Sequence, residues 1–149
     1  MPCFSGKINN RRILAIVYIT PMAELELDGA ENKMVTLASH NVFNALVDTG
    51  ATSSCITKKA AQSINIKPKS RSSLKTAGGV VPCNVYRIGM HIPIRVAHER
   101  EKIVVSIRSF ANIEVVETAP HDEYDVIIGM DVIMHGALHV SGETFTFCT

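Results

Sequence analysis

Short runs of β-branched and aromatic residues, separated again and again by turn formers, constrain this chain more than any other feature. Such runs occur at 13–19, 33–38, 42–47, 84–88, 91–96, 103–107, 113–117, 126–128, 138–140 and 144–147. Each is too short for a self-sufficient helix and rich in side chains that suit a pleated, half-buried surface. Ser39-His40-Asn41 and Ser141-Gly142-Glu143 look like hairpin turns, because Asn and Gly tolerate left-handed backbone. Helix signals are few: Thr57 can cap a short helix over 58–64, and a second can begin at Met130-Asp131 after Gly129. The expected fold is mainly β, a closed barrel with one or two short helices.

No repeat or Pro/Gly-rich linker divides the 149 residues, so one domain is expected, with residues 1–12 as a flexible N-terminal extension. The chain is 46% hydrophobic and 19% charged, enough to bury a core. Fifteen basic against fourteen acidic side chains give a net charge of +1, which supplies no footprint for nucleic acid or an anionic membrane. The basic run Lys67, Lys69, Arg71, Lys75 reads as a solvated loop. Lys7, Arg11 and Arg12 before ILAIVYI faintly imitate a secretory signal, but seven apolar residues are too few to span a bilayer and their branching suits a buried strand. Cys3, Cys55, Cys83 and Cys148 are scattered singly and read as reduced thiols of a cytoplasmic protein. His135 and His139 have ligand-like spacing, yet Gly136 lies between them with no helical pattern, so no metal or other cofactor is expected.

The chemistry concentrates at NALVDTGATSSC, residues 44–55. Asp48 stands where an apolar strand ends, and burying a carboxylate there is costly unless hydrogen bonds or a partner hold it. Gly50 has no side chain to keep a turn N–H away from that carboxylate, and Thr49 offers a hydroxyl to a neighbouring strand or subunit. Such a site suits metal-free activation of water by two carboxyls that share one proton, since two acids about 3 Å apart cannot both ionise. One Asp is half of that arrangement. Asp28, Asp122, Asp125 and Asp131 include no second intact copy, so the missing half is expected from another chain across a twofold axis.

These residues resemble the retropepsin-like aspartic proteases, homodimeric relatives of pepsin. ALVDTGATSS at 45–54 is similar to the family's catalytic strand and loop, LKTAGGVVP at 74–82 falls where its flap hairpin lies, and YDVIIGMDVI at 124–133 resembles its apolar-apolar-Gly motif before a short helix. ALHVSGETFTF at 137–147 looks like the closing hairpin. The resemblance implies Asp48 as the catalytic aspartate, Thr49 as the residue interlocking two active-site loops, and Gly50 as part of the hydrogen-bonded loop. It places Ala51 and Thr52 against substrate, with Ala77, Gly78 and Gly79 at the flap tip, and Ile127, Ile128 and Gly129 supporting the loop from beneath. Val80, Val81 and Ile133 are expected as apolar lining. Thr52 stands where retroviral members usually carry Asp, which removes a charged contact to substrate backbone. The implied activity is endopeptidase action on a peptide or protein substrate by a homodimer. The alternative is a dimerisation or binding module of the same fold with an idle dyad.

Overall fold

The computed structural model of the protein describes residues 3–21, 39–99 and 102–149, with backbone alone at 94–99 and 102–106. The strands are β1 (Cys3–Asn9), β2 (Arg12–Pro21), β3 (Val42–Val47), β4 (Cys55–Thr57), β5 (Ser70–Thr76), β6 (Gly79–Glu99), β7 (Lys102–Thr118), β8 (Val126–Ile128), β9 (Ala137–Ser141) and β10 (Thr144–Cys148). Between them lie two short α-helices, α1 (Lys58–Ser63) and α2 (Met130–Ile133), and a 3-10 turn at Ser39–Asn41. Strand neighbours run β5-β6-β7-β4-β8-β3-β2-β1-β10-β9, and a further β6–β2 pairing closes β2, β3, β8, β4, β7 and β6 into a barrel. The mainly-β barrel with two short helices expected from the sequence is therefore what forms.

Strand β2 shows how pattern follows packing. Its side chains are buried on both faces from Val17 to Thr20, where β3 pairs one edge and β6 begins to pair the other. Val17, Ile19, Ala45, Ile56, Ile88, Met90, Val115, Val126 and Ile128 meet inside the barrel, each at most 2% exposed. Runs 84–88 and 91–96 belong to one long strand, β6, and runs 103–107 and 113–117 to another, β7. They look separate in sequence because the β6/β7 ladder slips between Ile88 and Met90 and again between Pro93 and Arg95. Gly89 sits at the first slip, where a Cβ would lie 2.7 Å from the Thr20 hydroxyl. Thr57 caps α1 as expected, accepting the Ala60 N–H at 3.2 Å, and the Ser141-to-Thr144 hairpin turns through Gly142 at φ +58°.

Several expectations need correction. Residues within 1–12 are not a loose extension: β1 pairs with β10 from Cys3↔Cys148 to Lys7↔Thr144, then turns into β2 through Asn10 and Arg11, both left-handed. That pairing puts Cys3 and Cys148 side by side, and they form a disulfide, while Cys55 and Cys83 are free. Reading all four as reduced thiols was wrong because the alternation in β1, Phe4, Gly6 and Ile8 against polar neighbours, is too weak to announce a strand beside β10, and the argument for a reducing cytoplasm falls with it. Ser39–Asn41 form a 3-10 turn leading into β3, whose Asn41 amide donates to the Ile19 carbonyl at 2.7 Å. Ile133 is core rather than lining, at 6% exposed. The run at 33–38 lies outside the described residues. No helix among the described residues is long and apolar enough to cross a membrane.

Candidate active site

Parallel pairing of β3 with β8 aligns Leu46 with Ile127 and Val47 with Ile128, so both strands end at one rim of the barrel. There β3 passes into the turn at Asp48. The Asp48 N–H donates to the Ile128 carbonyl at 3.0 Å, continuing the ladder by one residue and fixing where the side chain leaves the backbone. The Gly50 N–H donates to Asp48 Oδ1 at 2.8 Å, and the Ala51 N–H returns to the Asp48 carbonyl at 3.2 Å. A Cβ on Gly50 would lie 3.1 Å from that same Oδ1, tight enough to push the donor away. The Asp48 side chain is half-buried; among the described residues no second donor reaches its carboxylate.

A second layer holds this turn. The Met130 N–H donates to the Ala51 carbonyl at 2.8 Å, so the start of α2 is tied directly to the loop. Beneath it, the Gly129 N–H donates to Ser54 Oγ at 3.0 Å, and that hydroxyl donates to Asp131 Oδ1 at 2.7 Å. Asp131 also accepts the Ser54 N–H on Oδ2 at 3.0 Å and the Val132 N–H on Oδ1 at 3.0 Å. Ser54 is fully buried, so each bond replaces water that cannot reach it. Gly129 is required by contact: a Cβ would stand 2.7 Å from the Ser53 carbonyl carbon and 2.9 Å from the Ala51 oxygen.

Of the residues singled out in the sequence, Asp48, Gly50, Ala51, Ile128 and Gly129 are brought together in one hydrogen-bonded unit, with Ile127 beside them on β8. Thr49 and Thr52 are exposed on the same turn. Ala77, Gly78 and Gly79 lie apart, at the tip of the β5/β6 hairpin, where Gly79 takes φ +120° and the Thr76 hydroxyl donates to its carbonyl at 2.9 Å. Among the described residues no hydrogen bond joins that tip to the Asp48 turn. Val80 and Val81, next to the tip, are 64% and 50% exposed.

The sequence reading missed Ser54 and Asp131. Asp131 marks a helix start in the sequence, and its place in the first turn of α2, two residues after the Gly129 N-cap, is the signal of a structural carboxylate. Cys55 is the other reactive group in the neighbourhood. Burial, then the charges of Asp131, Cys83 and Asp48, push its thiol up to about 11, so it stays protonated and is a poor nucleophile. The chemistry left to this rim is carboxyl chemistry.

Barrel and turn together define a class, the retropepsin-like aspartic proteases. The chain belongs to the aspartyl protease family, whose model matches residues 23–132. Its fold is also similar to that of a retropepsin-like aspartic protease from Rickettsia conorii, known from a crystal structure, with a TM-score of 0.61 and 14% sequence identity over 97% of this chain and 89% of that one. Comparison with curated proteins finds no sequence match.

Proposed function

We propose that the protein is an aspartic endopeptidase whose site is completed by a second copy of the chain, with Asp48 of each subunit forming the dyad. The observation that carries this reading is the Asp48 carboxyl, held at the barrel rim by the Gly50 N–H on Oδ1 and left with Oδ2 unpaired among the described residues. A carboxyl oriented in this way and open on one side is what a twofold-related carboxyl and a bound water need. One member of the pair takes a proton from water as it attacks the peptide carbonyl; the other, protonated, donates to the carbonyl oxygen.

In this reading Gly50 orients the acid, and Thr49, exposed on the turn, reaches the partner's turn. Ala51 and Thr52 border the bound peptide. The hairpin at Ala77, Gly78 and Gly79 folds over it to exclude water, with Gly79 supplying a backbone conformation that other residues rarely adopt. No metal or other cofactor takes part.

Cleavage of an unfolded protein by wild type and Asp48→Asn tests the reading. The variant should keep its fold and lose cleavage, and the wild-type rate should be highest below neutral pH, because one carboxyl must keep a proton. Equal turnover by both proteins would assign the activity to a contaminant. No cleavage by wild type together with tight polypeptide binding would favour an idle-dyad binding module.

A further inference from the structure

Behind the Asp48 turn lies a cavity of about 570 Å³ whose wall includes Ser53, Arg108, Phe110, Asn112, Asp131 and His135. Its size is within the usual range for a ligand pocket. The ring of Phe110 joins its two basic groups: the Arg108 guanidinium carbon lies 5.3 Å from the ring centroid, and the His135 ring 5.6 Å from it. A guanidinium resting on an aromatic face is held flat while its N–H fork stays free to bind an anion. Arg108 makes no ion pair, and the His135 ring nitrogens make no hydrogen bond, among the described residues.

Each acid of the lining has partners of its own, Glu114 on Oε1 alone. Asp131 accepts three hydrogen bonds, two from Ser54 and one from the Val132 N–H. Glu114 is bonded by Lys69 at 2.8 Å and Arg87 at 3.4 Å, and those contacts hold its carboxyl below the usual range. Arg108 and His135 bring side-chain nitrogens unpaired among the described residues to this cavity, set beside the apolar surface of Phe110 and Ile113 and the polar side chains of Ser53 and Asn112. Ser53 makes the cavity contiguous with the turn, since its backbone packs against Gly129.

We infer that this cavity is an exosite for an acidic side chain of the polypeptide substrate, its carboxylate received by Arg108 and His135 beside Phe110. The inference rests on the protease reading for the identity of the ligand, but binding can be measured without cleavage. Fluorescence anisotropy with the Asp48→Asn protein would compare a labelled peptide carrying several glutamates with its glutamine counterpart. The glutamate peptide should bind more tightly, and Arg108→Gln should weaken it by about two- to fivefold, as for loss of a solvent-exposed ion pair, while moving the glutamine peptide little. Circular dichroism would establish that the variant is folded, and His135→Gln should weaken the same peptide to a lesser degree.

Equal affinity for the two peptides, or a preference that survives both substitutions, would overturn the exosite. So would binding of inorganic phosphate that depends on Arg108 while neither peptide binds, since the site would then serve a free anion. Arg108-dependent glutamate binding in a protein whose wild type cleaves nothing would leave the exosite standing and sink the protease reading alone.

Discussion

His91 should make the barrel lose stability on acidification over a defined pH range. Its ring is 4% exposed, with Nε2 at 3.0 Å from the Thr20 hydroxyl, Nδ1 at 2.8 Å from the Ser109 hydroxyl, and the Tyr18 ring 6.0 Å away. The hydroxyls satisfy the neutral imidazole, but no charged group among the described residues pairs with it, and burial lowers its pKa from 6.5 to about 4. The unfolded chain therefore binds a proton near pH 6.5 that the folded chain refuses until about pH 4, so stability is complete above the first value and falls with pH between them. At about 1.4 kcal/mol per pH unit, that gap corresponds to roughly 3 kcal/mol, a large part of the usual 5–15 kcal/mol of a domain. Urea unfolding at fixed chain concentration, from pH 7.5 to 4, would be compared for wild type and His91→Gln, which keeps a donor and an acceptor but cannot charge. The carboxylates contribute equally to both, so the difference isolates His91. Parallel stability curves, or an NMR titration placing the ring near its ordinary value, would refute the reasoning. Since the proposed dyad is expected to work best below neutral pH, the same window would set how acidic the protein's medium can become before the barrel weakens.

Three further outcomes follow from the same geometry. Ser54→Ala strands the Gly129 N–H and one Asp131 bond, and should cost about 1–3 kcal/mol in urea unfolding with a matching loss of cleavage; unchanged stability would mean that the buried network carries no load. Gly129→Ala should destabilise by about 1–3 kcal/mol or more in urea unfolding because its Cβ meets backbone that cannot rotate away, whereas Gly78→Ala, whose nearest atom would be 3.9 Å off, should be nearly silent in the same assay. Replacing both Cys3 and Cys148 with Ser opens a crosslink spanning 145 residues and should lower stability by up to about 5 kcal/mol; a wild-type melt unmoved by a dithiol reductant would show that the bond contributes nothing.

What could be read in the sequence was what repeats or stands out locally. The apolar runs of β3, β8 and β10 announce themselves, as do the Thr57 cap and the turn at Asp48. Elements held by partners rather than by their own pattern were hidden. Strand β1 alternates only between half-buried and exposed positions, β4 is three residues long, and β5 is almost wholly exposed; each is a strand because of its neighbour. The same applies to the site. Asp48 and Gly50 are two residues apart and could be paired by inspection, while Ser54 and Asp131 are separated by 77 positions and meet only when β8 lies between β3 and β4. The Cys3–Cys148 bond was invisible for the same reason.

The central claim is that each site takes one Asp48 from each of two chains. Wild-type and Asp48→Asn chains, unfolded together in equal amounts, refolded and assayed at a concentration that favours dimers, test it directly. Random pairing leaves about a quarter of the dimers with both acids, so the mixture should show about half the activity of the same quantity of wild type refolded alone. Full wild-type activity in the mixture would mean that one chain suffices and would contradict the shared site.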